Sequence, residues 1–327
     1  MRSPVSPPDT ICRSTAASRW IEYGCTAPKV IVFNEGSVTI HTIDLAYVGR
    51  GIHEELIAYV ADQEGYFEDE GVHVAVRDGI AWDTERLRSC ATIGLGRALL
   101  SRLTDGIEWT VQSVNTHSPL FWFLGGTGVT SMADLRGRRL AVHAAHTAPG
   151  CFARIVLRRH GLDPHRDLEC VVRAPGDYQM DLRRLRDKSI DAAYVGSTLA
   201  PEQVAEEEGF HVLAWVGDHF QIPTVGIAVD PAHIEIDSPA LQAVVRANQR
   251  ALQTIAKRPG LAVDYMASFL NRLTRDEVQR HYEHYIGPYF NPDDRVDLDI
   301  ARQAIDTVAA ELGVASRSAE QIYQPAR

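Results

Sequence analysis

The chain has 327 residues, enough for two domains or one large α/β unit with a core of its own. Hydrophobic residues make up 45% and charged residues 23%, ordinary values for a globular protein. The formal net charge of −10 excludes nucleic acid as a default partner, because no basic excess is present to neutralise phosphates.

Of the 33 basic residues only Lys29, Lys188 and Lys257 are lysines, which leaves few candidates for Schiff-base chemistry. Five cysteines (Cys12, Cys25, Cys90, Cys151 and Cys170) lack CxxC spacing, so neither a disulfide framework nor a zinc site is expected, and a reducing compartment is. The first twenty residues lack the apolar core of a signal peptide, and no run is long enough to span a bilayer. The expectation is a cytoplasmic protein without a membrane span, a metal or a cofactor.

Residues 1–38, rich in Pro, Ser and Thr over most of their length, read as a flexible extension in which only Lys29–Phe33 is strand-like. Ile40 to Gly79 then reads as strand, loop, helix, turn and strand. Thr42–Val48 is β-favouring, Leu56, Ile57, Tyr59 and Val60 recur at helical spacing, Gly65 stops the helix, and Val72, Val74 and Val76 alternate. Such a unit implies parallel strands with a ligand beyond their carboxyl ends. The Gly94-Leu95-Gly96 triplet lacks full phosphate-loop spacing and reads as a helix start or a close packing point, not directly after a strand.

Further strands are expected at 109–114, 120–124, 139–143, 168–173, 190–195, 211–216 and 222–229. They are interleaved with helices at 148–160, 178–187 and 199–208, and helices fill most of the chain after Ser238. This is an α/β pattern of doubly wound, mostly parallel sheets with a helical C-terminal extension.

The stretches 58–76 (AYVADQEGYFEDEGVHVAV), 131–171 (beginning SMADLRGRRLAVHAAHTAPG), 182–195 (LRRLRDKSIDAAYV) and 206–218 (EEEGFHVLAWVGD) carry a family likeness. Together they resemble the type 2 periplasmic-binding-protein-like superfamily. The similar branch contains nitrate-, sulfonate- and taurine-binding proteins, thiamine-pyrimidine synthases and aromatic sulfinate desulfinases. The resemblance implies one lobe from 39–117 plus 218–327, another from 118–217, crossings near His117 and Gly217-Asp218, and a ligand in the interlobe cleft. It departs from the desulfinases at Gly51-Ile52-His53, where their catalytic cysteine is expected, and from the pyrimidine synthases in lacking their cysteine-rich run.

Three residues suit proton transfer. Asp44 is a carboxylate inside an apolar strand, either facing the cleft or paired near an edge. His53 opens the first helix, and His117 stands at a predicted crossing beside Asn115, Thr116 and Ser118. Ligand contacts are expected from Tyr47, from the wall pair Trp82 and Asp83, and from the anion-clamping fork of Arg88. From the second lobe they are expected from His143, His146 and Thr147 at a helix start, from Tyr178, and from Ser197 after a strand. Thr147 is equally a helix cap, and Arg88 equally a solvated helical arginine.

Two functions stay open. One is a cytoplasmic enzyme acting on a small sulfate-, sulfonate- or carboxylate-bearing substrate by lyase or elimination chemistry in a biosynthetic pathway, sulfate elimination included. The other is a solute-binding protein for sulfonate-, nitrate- or pyrimidine-like ligands, partnered by an ABC permease if exported. A third and weaker possibility is a sensor, or a partner subunit of a heteromeric enzyme.

Overall fold

The computed structural model describes residues 41–49, 51–173 and 178–324; the strand expected at 29–33 lies outside them. The strands are β1 (His41–Tyr47), β2 (Val72–Asp78), β3 (Ala91–Gly94), β4 (Thr110–Thr116) and β5 (Phe121–Gly125). They continue with β6 (Arg138–Val142), β7 (Leu168–Val172), β8 (Ala192–Gly196), β9 (His211–Trp215) and β10 (Val225–Val229). Among the longer helices, α1 is Ile52–Gln63, α2 Leu95–Thr104, α3 Ala148–Arg159, α4 Tyr178–Arg186 and α5 Pro201–Glu208. The C-terminal set is α6 (Pro239–Lys257), α7 (Pro259–Phe269), α8 (Arg275–His281) and α9 (Leu298–Leu312).

Two five-stranded sheets result, ordered β2-β1-β3-β10-β4 and β7-β6-β8-β5-β9. In each, three strands run parallel and the fourth in order is antiparallel to its neighbours: β10 in the first sheet, β5 in the second. The same spatial plan is thus used twice, as expected of a two-lobed α/β protein. The chain passes between sheets at 117–120 and again at 216–224.

Strand β3 is the element that the sequence pattern hides. Its four residues, ATIG, are all buried, so no alternation marks it, and it leads straight into α2. The glycine triplet therefore does follow a strand, contrary to expectation. Gly94 caps α2, and Gly96 allows close packing: a Cβ there would lie 2.8 Å from the Ala148 Cβ and 3.2 Å from the Phe152 ring.

Two buried apolar clusters fill the molecule, and each draws on both sheets. One joins Leu45, Leu56 and Val244 with Trp122 and Val195; the other joins Leu99 and Val111 with Phe123, Leu140 and Phe152. Each such side chain contributes roughly 1.5–3 kcal/mol by leaving water, so the two lobes are packed against one another and not merely tethered. Helix α6 lays Leu241, Val244, Ala251 and Leu252 onto this core.

Helix α9 is capped by Asp297, which accepts from the N–H groups of Asp299 and Ile300, and is closed by Gly313 at φ 68°. It packs on α3 of the second lobe, where Glu311 accepts from Arg154 at 2.7 Å and from Arg158 at 2.9 Å. Farther on, Tyr323 bridges Val111 of β4 in the first sheet, and the Gln324 N–H donates to the Val111 carbonyl at 2.9 Å. No described helix is long and apolar enough to cross a membrane.

Candidate functional site

Between the sheets lies a cavity of about 510 Å³. Its wall is built where the chain leaves the carboxyl ends of parallel strands: Val48 and Gly49 after β1, Gly94 at the end of β3, His143 after β6, and Gly196 and Ser197 at β8. This is where open α/β sheets place ligands, because the loops there diverge and the following helices point their amino ends inward. Phe121 and Phe152 supply apolar surface.

Three helix starts border the cavity, and they differ. Helices α1 and α2 begin at Gly51 and Gly94, which carry no side chain to occupy the first-turn N–H groups. The Ile52 N–H donates to the Ser197 Oγ at 3.2 Å and the Leu95 N–H to the Thr224 carbonyl at 3.0 Å, while the N–H groups of His53, Gly96 and Arg97 have no assigned partner among the described residues. Helix α3 is closed off by comparison. Thr147 Oγ1 accepts from the Gly150 N–H, the Thr147 carbonyl from the Cys151 N–H, and Pro149 has none to give. Thr147 is therefore mainly a cap, and positive helix-end potential enters the cavity chiefly from α1 and α2.

The ionisable groups are unusually held. Burial drives His53 down to about 3, and its Nδ1 lies 2.9 Å from the Ser197 Oγ. Burial, aided by the neighbouring Arg173 guanidinium, drives His143 down to about 3 as well. Both rings are neutral at physiological pH. Burial raises the Glu54 carboxyl to about 7, although the Gly49 N–H donates to it at 3.0 Å. Arg97 reaches the cavity from α2, donating to the Trp82 carbonyl and, at 3.4 Å, to the Gly79 carbonyl; burial lowers its pKa. No cluster of three or more metal-ligating side chains occurs among the described residues.

Of the residues expected at the site, His53, His143, His146, Thr147, Tyr178 and Ser197 share this cavity. The others do not. Asp44 has a side chain 41% exposed and is paired with Arg77 on the neighbouring edge strand at 3.1 Å. His117 accepts the Asp297 N–H on Nε2 at 2.9 Å, so it ties the crossing to the start of α9. Its polar neighbours are occupied locally: Asn115 exchanges hydrogen bonds with Asn248, and the Ser118 N–H donates to Thr116 Oγ1.

Tyr47 is a core residue, only 3% exposed. Trp82 stacks under Arg86 at 3.8 Å and serves the cavity only through its carbonyl, while Asp83 caps the turn Thr84–Leu87. Arg88 has its guanidinium on Asp230 at 2.5 Å and Glu85 at 2.9 Å, leaving no open fork for an anion. In their place the cavity uses Glu54 and Arg97. Each lies close to a feature visible in the sequence, one residue after His53 and one after the glycine triplet.

Two equivalent sheets closing on one shared cavity define a two-lobed α/β fold with its candidate site between the sheets. The chain belongs to the NMT1/THI5-like family, whose model matches residues 54–262. No curated protein matches it in sequence.

Solved structures share the fold at low identity. A Candida albicans gene product that defines a family with the generic periplasmic-binding-protein fold is 16% identical, covers 88% of this chain and 97% of its own, and has a TM-score of 0.69. The alkanesulfonate-binding protein SsuA of Xanthomonas axonopodis pv. citri, bound to MOPS, is 14% identical over 88% of this chain and 100% of its own, with a TM-score of 0.67. The desulfurization enzyme DszB is 15% identical over 87% and 96%, with a TM-score of 0.61.

Proposed function

We propose that this protein binds one small molecule between its lobes, an apolar or aromatic body carrying a single anionic oxygen group such as a sulfonate or carboxylate. The observation that carries this reading is the meeting of two glycine-capped helix starts and Arg97 in one cavity with Phe121 and Phe152. The polar part supplies donors and positive potential, the aromatic part a dry wall. The sulfonate MOPS bound in one structural relative, and a second relative named as an aliphatic sulphonate-binding protein, support it. In a transport role the partner would be an ABC permease. Calorimetric titration with alkyl- and arylsulfonates, nitrate, carboxylates and pyrimidines tests the proposal. Saturable one-to-one binding of a sulfonate or carboxylate is expected, and heat only from cationic or uncharged probes would overturn it.

One observation favours a second reading, a lyase. Glu54, with its carboxyl near 7, borders the same cavity as neutral His53, a pairing suited to moving a proton during elimination. Release of inorganic sulfate from an O-sulfated probe, abolished in Glu54→Gln, would support that chemistry.

A further inference from the structure

We infer that the cavity reads its ligand through two imidazoles of fixed tautomer, one from each lobe. The bound molecule must then offer one hydrogen-bond acceptor to His53 Nε2–H and another to His143 Nδ1–H, and Arg173 is the positioning residue that sets the second. This rests on the cavity being the ligand site.

For His143 the tautomer follows from the donor inventory alone. Arg173 Nη2 lies 2.9 Å from His143 Nε2. A guanidinium has no lone pair with which to accept, so Nε2 must be the acceptor and the ring proton sits on Nδ1. Arg173 cannot turn away easily. Its side chain is fully buried, ion-paired with the equally buried Asp181, bonded to the Tyr194 carbonyl at 2.8 Å, and set 4.3 Å from the Tyr178 ring centre. His143 Nδ1 has no assigned partner among the described residues and is not among the polar atoms sealed from solvent, and the ring lines the cavity.

For His53 the tautomer is set by Ser197. The Ser197 Oγ accepts the Ile52 N–H at 3.2 Å. Its own proton has one assigned acceptor among the described residues, His53 Nδ1 at 2.9 Å. With Nδ1 accepting, the His53 proton is on Nε2, which likewise has no assigned partner and is not sealed off.

Burial keeps both rings uncharged, so neither alternates between donor and acceptor as pH varies around neutrality. Such a site favours oxyanions, carbonyls and ring nitrogens. It rejects a molecule that presents N–H groups at the same two points, because two donors would then face two donors.

The test is a two-bond 1H–15N correlation spectrum of histidine-labelled, ligand-free protein from pH 5 to 8, assigned with His53→Gln and His143→Gln. The expected result is the Nδ1–H form for His143 and the Nε2–H form for His53, with neither titrating. An Nε2–H signature at His143, or a midpoint for either ring inside that range, would overturn the inference.

In Arg173→Gln, whose side-chain amide can either donate or accept, His143 is expected to populate both tautomers and benzenesulfonate affinity to fall at least tenfold. A His143 that stays wholly Nδ1–H in a folded variant overturns the role of Arg173. If the variant does not fold, the wild-type spectrum still decides the tautomers. The expected tautomers without any benzenesulfonate binding would uphold the locked imidazoles and overturn the sulfonate reading alone.

Discussion

His281 Nε2–H donates to the carbonyl of Ser197 at 2.8 Å, joining the last turn of α8 to the strand end that lines the cavity in the other lobe. The same serine receives the Ile52 N–H and contacts His53, so three groups from one lobe meet a single residue of the other. Ser197 is 1% exposed, and these contacts form a dry clasp next to the ligand space.

Removing the hydroxyl should loosen that clasp. Ser197→Ala leaves the Ile52 N–H and His53 Nδ1 without their partner, and a buried unsatisfied group costs about 1–3 kcal/mol. Chemical denaturation should show a loss in that range, with weaker binding of any cavity ligand.

The buried histidines fix the direction of acid sensitivity. His53 and His143 are lowered to about 3 and His281 to about 4, against an unfolded value near 6.5. Below 6.5 the unfolded chain takes up protons that the folded one does not, so stability is complete above that pH and declines as pH falls toward 3–4. Each group contributes up to about 1.4 kcal/mol per pH unit. In His281→Gln, which keeps a donor for Ser197 but cannot titrate, urea midpoints at pH 7.5 and 5 should lie closer together than in the wild type.

Glu54 acts in the opposite sense. Its folded pKa of about 7 exceeds the unfolded 4.5, so between those values the folded state holds the extra proton and stability declines as pH rises. Glu54→Gln should match the wild type in thermal midpoint near pH 5 and exceed it at pH 8. An anionic ligand should also lose affinity for the wild type, but not for the variant, as pH climbs through 7.

Gly96 marks the closest approach of α2 to α3. A valine there would drive methyl groups into Ala148 and Phe152, which belong to the other lobe. Overpacking typically costs about 1–3 kcal/mol, and here the strain falls on lobe closure. Gly96→Val should reduce ligand affinity more than tenfold while far-UV circular dichroism stays unchanged.

The sequence discloses the architecture better than the wall of the site. Alternating β-rich runs and helical spacing reveal the repeated strand–helix plan, because each element buries one face and its period shows it. β3 escapes because four buried residues have no period to display. His53, His143 and Ser197 are legible because each follows a strand end, a position set by topology. Asp44, Arg88 and His117 mislead for one physical reason: residue type and place in the chain do not reveal direction. Asp44 finds Arg77 on an exposed edge, Arg88 finds the buried Asp230, and His117 turns to the start of α9. Arg97 is missed for the converse reason, since only the packed fold shows which face of α2 meets the cavity.

The tail of the chain grips both halves of the molecule. Glu311 holds it to Arg154 and Arg158 on one side, and Gln324 pairs with Val111 on the other. The ten residues from Gly313 to Ile322 between these grips are themselves tied back to α9, Ser316 Oγ donating to Asp306 and Arg302 donating to Glu320. Parting the lobes would therefore mean breaking one of these attachments as well as the packing between the sheets.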